Sequence, residues 1–535
     1  MTNGVLRFAL TKSGGEPLVG DTESGPSAQN QSPEYVTVGR DGPEPGAIGP
    51  PWRRDWTPWL VAATVFVAYG VVSVARVVRL DEGSSDLAAF TEYVKQYAHL
   101  KVPIVDVVSP GLNLLGDHFH PIVALIAPFF LLAPSPITLV LAQALLVAIS
   151  VIPVSRAAAA RLSRDSARLI TAAYGLSWGL QQMIDFDFHE LAFAVPLLAC
   201  CLSALVRGKT RAAVLWALPL VLVKEDQGFT VAAIGLVMII TAWRGRVRAR
   251  RDGSAPGGGP GRTGAVRAGL FLIVWGLAWA VVSIEVIIPF FNLYHQYDYW
   301  TEGGILGNSS SSSVIALLDQ IARDYPRKLG TVALTLLPVA FLALRSPLSL
   351  VAVPSVLLRF INTDPNYWGP YYHYSAPLMP IVFVAAVDGL ARIQATRAVP
   401  SSRRTATAVR YSPVLMLVIA VGLCFWAPVS HLWQPQTYSV SGHVRAEYAA
   451  MAEVPDGATV EVTEEMEAPL AARADVFYAS DPSNPAPQYI VIDPHDYYAQ
   501  PSIAGNLRQW VKRDHPKASY QQIFSRDGVY AFRRT

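Results

Sequence analysis

Long apolar runs separated by short polar stretches recur along the chain from Trp56 to about residue 430. Most of them are about 17 to 23 residues long, the length with which a helix crosses about 30 Å of hydrocarbon. So many runs in one sequence predict an all-α polytopic membrane protein with about eleven transmembrane helices. The predicted segments are residues 57–77, 136–155, 167–183, 190–206, 212–223, 227–243, 267–290, 328–345, 347–361, 376–393 and 411–430.

Two flanking regions break this pattern. Residues 1–55 are rich in Gly, Pro, Ser and acidic residues without apolar periodicity, which indicates a disordered tail. Residues 431–535 predict a small α/β domain. Its elements are a helix over AEYAAMAEV, strands over ATVEVT, DVFYA and QYIVID, a helix over NLRQWVKRD and a strand pair around SRDG. We therefore expect a membrane domain, residues 56–430, between a tail and an α/β domain.

The distribution of Lys and Arg predicts which connections stay in the cytoplasm. With the N-terminus inside, the basic connections all fall inside, namely Arg53 and Arg54, residues 156–164, residues 207–211, residues 244–251, and Arg403 and Arg404. The other connections and the α/β domain then lie outside the plasma membrane. For the sides to alternate in this way at each crossing, residues 119–133 must form a re-entrant or surface helix that does not cross the membrane. The same alternation also requires residues 212–223 to cross, although about 12 residues reach only about 18 Å as a helix.

Composition narrows the expected partners. The chain has 52% hydrophobic and 16% charged residues and a net charge of +3. Its basic residues occur in short blocks between apolar runs instead of one broad patch, so nucleic acid is not expected as a partner. Cys200, Cys201 and Cys424 all lie within apolar runs. Neither a disulfide framework nor a cysteine zinc site is therefore expected.

The predicted outer connections contain nearly all of the polar chemistry, beginning with DLAAF at residues 86–90. Asp86 follows the first membrane segment, where a carboxylate can act as general base toward an acceptor hydroxyl or help to hold a metal ion. An N-cap for a helix that starts at Leu87 explains Asp86 equally well.

Two histidine-containing motifs follow. DHFHP places His118 and His120 two residues apart, which suits a metal ion or a phosphate oxygen, although interfacial capping accounts for it as well. DFDFHE contains His189 and Glu190, whose imidazole and carboxylate suit a divalent cation or acid–base chemistry. Aromatic residues alternate with the charges of DFDFHE, which favours a site over a solvated loop.

A third motif, KED, stands between two strongly apolar runs, where charged groups are costly unless they pair or meet a ligand. Lys224 can neutralise a phosphate while Glu225 or Asp226 orients it or a cation. Pairing among the three residues is the alternative, and we favour a functional role.

The stretch from Arg359 to Tyr374 combines a cation with several aromatic rings. Arg359 and His373 can clamp a phosphate while an aromatic face, such as that of Tyr371, stacks on a sugar ring. An aromatic belt that anchors the protein at the membrane interface is the alternative. In the α/β domain, Asp493, His495 and Asp496 follow a predicted strand, and we favour a surface turn there over a site.

The order of motifs resembles the bacterial and archaeal membrane proteins grouped as domain of unknown function 2079. The residues that carry the resemblance are DHFHP with APFFLLAPSPITLVLAQ, then FDFHE, KEDQG and YYHYSAP, within roughly residues 80–395. That family looks like a branch of the GT-C glycosyltransferase superfamily, whose multi-spanning members take sugars from polyprenyl-phosphate carriers on the outer face. The resemblance implies that Asp86 matches the catalytic acidic residue of the first external loop. Ser85 stands where a second acid is usual, which leaves metal dependence open.

The resemblance also matches a set of recurrent polar positions of the family, namely His118, His120, His189, Glu190, Lys224, Glu225 and His373. Together these observations favour a glycosyltransferase that moves a sugar from a polyprenyl-phosphate donor to a cell-envelope acceptor. Asp86 is the expected base, and Lys224, Arg359 and the histidines are expected to hold the phosphate. Whether a divalent cation takes part stays open.

Two other functions remain under consideration. A transporter or lipid flippase is the main rival, because KED and Pro219 can mark a broken helix, although no internal repeat is apparent. A non-catalytic envelope assembly protein, whose outer domain binds a partner, is the third.

Overall fold

The computed structural model of the protein describes residues 55–81, 84–251, 260–300, 314–396, 403–479, 481–496, 503 and 506–535. Within these residues the chain is mostly helical and carries a five-stranded sheet near its C-terminal end. The predicted tail, residues 1–55, lies outside the described part except for Asp55, so its disorder stays a prediction.

The helices differ widely in length, and short 3-10 turns connect or extend several of them. In chain order they are α1 (Thr57–Val78), α2 (Asp86–Ala98), α3 (Ala127–Leu132), α4 (Pro136–Ala159), α5 (Arg164–Gly175), α6 (Trp178–Asp185), α7 (Ala194–Val206), α8 (Thr210–Ala217), α9 (Gln227–Arg251), α10 (Pro260–Val282), α11 (Ile288–Phe291), α12 (Val314–Ala322), α13 (Tyr325–Leu336), α14 (Val353–Ile361), α15 (Leu378–Thr396), α16 (Arg403–Leu423), α17 (Gly442–Met451), α18 (Glu467–Ala471) and α19 (Leu507–Asp514). The strands are β1 (Thr459–Val462), β2 (Asp475–Tyr478), β3 (Tyr489–Ile492), β4 (Tyr520–Arg526) and β5 (Val529–Arg534).

Over the described residues, 5 helices are long and apolar enough to cross a membrane. They are Thr57–Val78, Pro136–Ala159, Gln227–Val247, Thr263–Phe291 and His373–Ala395. Shorter apolar helices cover Pro121–Leu132, Glu190–Val206, Thr210–Leu222, Pro347–Ile361 and Val409–Leu423. Several apolar membrane-length helices are thus confirmed, while the number eleven and the orientation stay predictions.

Two predicted segments are divided in the structure. Residues 167–183 fall on α5 and α6, because Ser177 leaves helical geometry between them, with φ −67° and ψ 135°. Residues 328–345 leave the helix after α13, where Ala340 and Phe341 adopt left-handed φ angles of 48° and 59°. A left-handed residue cannot continue a right-handed helix. The apolar pattern therefore does not correspond to one straight helix at either place.

Helix α15 lies at the centre of the membrane domain, packed against α4, α5 and α7. Within its most apolar window 83% of the residues are buried inside the protein, compared with 33% to 39% for the spans formed by α1, α9 and α10. The three outer helices thus keep much of their apolar surface exposed, as a lipid environment allows.

Helices α9 and α10 approach each other closely through facing glycines. Gly228 faces Gly276 and Gly235 faces Gly269, and a Cβ added at any of these positions would collide with the opposite backbone. Small residues let two helix backbones come close, which is a common basis for helix association within a membrane.

The C-terminal domain contains one mixed sheet with strand order β2-β1-β3-β5-β4. Strand β1 pairs in parallel with β2 and β3, whereas β5 runs antiparallel to β3 and β4. Asp527 and Gly528, both with positive φ, connect β4 to β5 as the turn that the SRDG sequence predicts. The predicted strands and the helices α17 and α19 are all present. The sequence does not predict α18, because EAPLA offers no repeating apolar stripe.

The C-terminal domain is anchored on α2, the helix that begins at Asp86, through the packing of α18 against it. Lys95 of α2 donates a hydrogen bond of 2.5 Å to the carbonyl oxygen of Ala474. The same ammonium lies 3.6 Å from the carboxylate of Asp475, at the start of β2. The sheet is therefore fixed relative to the first polar segment of the membrane domain.

We expect Gly235→Ala and Gly269→Ala to lower the thermal midpoint of the purified protein, because overpacking a close contact costs about 1–3 kcal/mol. Gly245→Ala on α9 and Gly264→Ala on α10 are matched controls, since a Cβ there meets nothing within 4 Å. Scanning fluorimetry in detergent measures the midpoints. Equal midpoints for the two pairs of variants would contradict this close helix contact.

Candidate functional site

Asp86 is the first residue of α2 and is joined to the DFDFHE segment through a serine. Its backbone N–H donates to Ser84 Oγ at 3.2 Å, and the Ser84 hydroxyl donates to the Asp187 carboxylate at 3.0 Å. The alternative prediction of Asp86 as N-cap is wrong, because Ser85 occupies the N-cap position and the Asp86 side chain belongs to the first helical turn.

Several charged groups act on the Asp86 carboxyl. Burial raises the pKa of Asp86 to about 7, and the carboxylates of Asp187 and Glu190 act in the same direction. The Lys224 ammonium has the opposite effect on this pKa. A carboxyl with such a pKa can exchange a proton near neutral pH.

Lys224 forms a buried ion pair with Glu190. The Lys224 Nζ atom lies 3.1 Å from Glu190 Oε1, and His189 Nδ1 lies 3.0 Å from Glu190 Oε2. The alternative of pairing within the KED motif is therefore wrong for Lys224, whose partner comes from the preceding DFDFHE motif. The Lys224 charge also acts on His118, His120, His189 and His373, so these predicted residues are neighbours.

Glu225 holds the DHFHP segment in place. Its carboxylate contacts His118 Nδ1 at 2.8 Å and accepts a hydrogen bond of 3.1 Å from the backbone N–H of Phe119. The Tyr297 hydroxyl donates to the same carboxylate at 3.0 Å, and the ring of Tyr299 stacks on His118 with 4.5 Å between centroids. Glu225 thus accepts hydrogen bonds from protein groups and connects the KED, DHFHP and YHQYDYW segments.

Two histidines keep buried ring nitrogens without a hydrogen-bond partner among the described residues. His373 is 2% exposed, has neither ring nitrogen paired, and stacks on His189 with 3.4 Å between ring centroids. His120 is 1% exposed, has Nδ1 unpaired, and packs against the rings of Phe90 and Tyr93. Buried polar atoms are nearly always paired, so these nitrogens are available to a ligand.

Arg359 uses its guanidinium to hold the backbone of the aromatic segment. It donates to the carbonyl oxygens of Tyr367 at 2.9 Å and Gly369 at 2.8 Å, and to Ser375 Oγ at 3.2 Å. In the same segment Tyr372 has φ 66° and ψ −170°, a conformation that favours glycine and costs about 1–3 kcal/mol. This fixed backbone presents His373 to the site.

The other two predicted residues lie at the edge of this group. Asp226 accepts a hydrogen bond of 3.0 Å from Gln227 and has Glu225, Lys224 and His118 as charged neighbours. Tyr371 is 52% exposed, so its ring lies toward the surface.

The sequence analysis includes Asp187 within the DFDFHE motif but does not single out four further members of the site, namely Ser84, Asp117, Tyr297 and Tyr299. The Tyr299 hydroxyl donates to Asp117 at 3.3 Å, which joins the YHQYDYW segment to DHFHP. The aromatic residues of YHQYDYW were the available signal, but their partners lie more than 70 residues away in sequence.

The C-terminal domain contains two groups of side chains that could hold a metal ion, and the ligand atoms of each group lie within 4.8 Å of one another. In the described part of the chain they are His443, Glu447 and Asp493, and Glu461, Asp514 and His515. The surface turn predicted around Asp493 is present, but the prediction of surface exposure is wrong for two residues. Asp493 is 1% and Asp496 is 6% exposed.

The sequence matches the family model described as "Predicted membrane protein (DUF2079)" over residues 76–531. No curated protein matches the sequence. Among solved structures, ArnT from Cupriavidus metallidurans, bound to undecaprenyl phosphate, is similar at 14% identity and a TM-score of 0.47, with 89% of this chain and 98% of that chain covered. The Archaeoglobus fulgidus oligosaccharyltransferase, tethered with an acceptor peptide, is similar at 12% identity and a TM-score of 0.41, with 90% and 74% covered.

The family match includes every predicted site residue from Asp86 to His373 and extends through most of the C-terminal domain. The chain therefore belongs to the DUF2079 family of predicted membrane proteins.

Proposed function

We propose that this membrane protein transfers a sugar from a polyprenyl-phosphate donor to a cell-envelope acceptor at the outer face of the membrane. The observation that carries the proposal is the position of Asp86, a carboxyl with a pKa of about 7, beside the Lys224 ammonium. The order of polar motifs resembles the domain of unknown function 2079 family, which looks like a branch of the GT-C superfamily, and this resemblance supports the same reaction.

Asp86 acts as general base in this proposal. Its carboxylate accepts the proton of the acceptor hydroxyl as the hydroxyl oxygen forms a bond to the anomeric carbon of the sugar. The bond between that carbon and the phosphate oxygen breaks, and its electron pair leaves with the polyprenyl phosphate. A base whose pKa lies near the working pH is well matched to such a transfer.

Lys224 and the buried histidines stabilise the phosphate that leaves. The Lys224 ammonium supplies a charge within the site, and its pairing with Glu190 at 3.1 Å fixes its position. The unpaired ring nitrogens of His120 and His373 can donate to phosphate oxygens. Charge-assisted bonds of this kind are roughly twice as strong as neutral ones.

Arg359 has a positioning role in this proposal, because its hydrogen bonds go to Tyr367, Gly369 and Ser375. It holds the segment that carries His373. The exposed ring of Tyr371 in the same segment is free to stack on a sugar ring.

The location suits a donor and an acceptor that arrive from different phases. Asp86 comes shortly after α1, a helix of membrane-spanning length, so its site lies near one end of that helix. A donor held in the bilayer by its lipid reaches such a site sideways, while a polar acceptor reaches it from water.

We expect Asp86→Asn to abolish most of the sugar transfer, because a positioned general base contributes about 10²–10⁴-fold to rate. Membranes that contain equal amounts of folded wild type or variant are incubated with a panel of radiolabelled polyprenyl-phosphate sugars and endogenous acceptors. Asp81→Asn is the matched control, since that carboxylate is 60% exposed and pairs with Arg79.

Two outcomes would count against the proposal. Equal transfer by wild type and Asp86→Asn would remove Asp86 from the reaction. Absence of transfer with every donor, in the presence of divalent cations and beside a working control enzyme, would favour a transporter, a lipid flippase or an assembly protein.

We expect the transfer rate to rise with pH through about 7 and to level off above it, because only the ionised Asp86 accepts a proton. Below that pH the rate falls about tenfold per unit, as expected for a single titrating base. Initial rates at saturating donor measure the profile. A rate that does not change between about pH 5.5 and 8.5 would contradict this role for Asp86.

We expect the double variant Lys224→Met with Glu190→Gln to fold but to bind polyprenyl phosphate at least about tenfold more weakly. Removal of both charges avoids an unpaired buried ion, which single variants would leave. Equilibrium binding to the purified protein in detergent measures the affinity. The control, Lys101→Met with Glu453→Gln, removes one exposed cation and one exposed carboxylate outside the site. Unchanged affinity in the site double variant would exclude Lys224 as the phosphate contact.

A further inference from the structure

A second polar cluster lies in the C-terminal domain, between α17 and the end of β3. His443 and Glu447 are four residues apart on α17 and therefore lie on the same face of the helix. Asp493 directly follows β3. The ligand atoms of these three side chains lie within 4.8 Å of one another.

The imidazole of His443 is oriented as a metal ligand would be. Its Nδ1 lies 2.9 Å from the backbone carbonyl oxygen of Asp527, so Nδ1 carries a proton and donates it. Metal-binding histidines commonly hold their other nitrogen in this way, which directs the ligand nitrogen. Here Nε2 lies 2.6 Å from Asp493 Oδ2, a hydrogen-bond distance at which a proton lies between the nitrogen and the carboxylate.

The Glu447 carboxylate is fully buried at 0% exposure, and neither of its oxygens accepts a hydrogen bond from a described donor. The group within hydrogen-bond reach is a second carboxyl, that of Glu465, and the charges of Asp493 and Asp496 are also close. Several carboxyl groups thus lie together with a single imidazole in one buried region. Carboxylates without a cation are very costly to bury.

Protons offer one solution to this cost. The carboxyl groups of Glu447 and Glu465 lie within hydrogen-bond reach and can share a proton. A divalent cation offers the other solution, since it neutralises two carboxylates at once and uses the unpaired oxygens of Glu447.

We propose that His443, Glu447 and Asp493 bind a divalent metal ion of the Zn²⁺ type, with Glu465 as an additional carboxylate ligand. One imidazole nitrogen together with carboxylate oxygens is a ligand set that Zn²⁺ accepts. Mg²⁺ and Ca²⁺ prefer sites made of oxygen atoms alone, so they should bind more weakly here. The ion takes the place of the proton between His443 and Asp493, and the two ligand atoms, 2.6 Å apart in the hydrogen bond, move apart as they bind it.

Such an ion would join the first helix of the domain to the central strand of its sheet. It would also fix Glu465, whose neighbour Glu464 accepts a hydrogen bond from the backbone N–H of Ser85. Ser85 precedes Asp86, so the metal would stabilise the surface against which the α2 segment packs. This inference does not depend on the reaction proposed above.

The test measures Zn²⁺ uptake by the full-length protein in detergent after treatment with a chelator. Metal content per chain and calorimetric titration are compared for wild type, Glu447→Gln and Asp493→Asn. Glu453→Gln is the matched control, because Glu453 is an exposed carboxylate just after α17. We expect the two site variants to bind one Zn²⁺ ion fewer per chain than wild type and the control. The difference between proteins also separates this site from the group at Glu461, which all of them retain.

Thermal midpoints distinguish loss of the site from misfolding. In metal-free buffer Glu447→Gln should match or exceed wild type, because a neutral amide replaces a buried carboxylate. Added Zn²⁺ should raise the midpoint of wild type by several degrees, leave Glu447→Gln unchanged and exceed the effect of Mg²⁺ or Ca²⁺. Equal Zn²⁺ uptake by wild type and both site variants, or no uptake by wild type, would overturn the proposal in favour of shared protons.

Discussion

The polar site depends on the ion pair between Lys224 and Glu190. Lys224 stands just before α9 and after an apolar 3-10 turn, where an ammonium without a partner would be strongly destabilising. Removal of one partner from a buried pair typically costs about 3–5 kcal/mol, because the other charge remains uncompensated. The DFDFHE and KED segments must therefore lie together, and this places Lys224 beside Asp86 and the four histidines.

Glu225 and Asp226, the two acidic neighbours of Lys224, contact other groups. The three residues of this short motif therefore have three different structural roles. Glu225 contacts His118, Phe119 and Tyr297, so it joins the KED segment to two other polar segments. Asp226 pairs with Gln227 at the beginning of α9. Glu190 is the carboxylate that lies within ion-pair distance of Lys224, at 3.1 Å.

Much of this organisation could be predicted from sequence, because it depends on local pattern. Apolar length identified the 5 described helices that are long and apolar enough to cross a membrane, and alternation identified the strands of the C-terminal domain. The polar motifs were also recognised as a set, and Asp86, His118, His120, His189, Glu190, Lys224 and His373 do lie close together. Motif order was informative here because charged residues are rare next to apolar runs and each one requires a partner.

What could not be predicted depends on contacts between distant segments. His118 and Glu225 are 107 residues apart, and no local pattern relates them. The guanidinium of Arg359 is a group that commonly binds phosphate. Its partners here are backbone carbonyl oxygens, which reach it only because the aromatic segment folds back over it. The sequence shows that His443 and Glu447 are spaced to lie on one face of a helix, but Asp493 joins them only through the packing of α17 on the sheet. The residue types thus indicated which chemistry was available, whereas tertiary contacts determine the role that each residue has in the structure.

The contact between the C-terminal domain and α2 suggests why the two parts form one unit. Ser85 contacts Glu464 by its backbone, and Ser84 contacts Asp187, so the residues just before Asp86 are held from both sides. The charge of Asp86 in turn acts on Glu464, which connects the protonation of the two carboxyls. The C-terminal domain therefore contributes directly to the electrostatic environment of Asp86, and the site extends across the boundary between membrane helices and sheet.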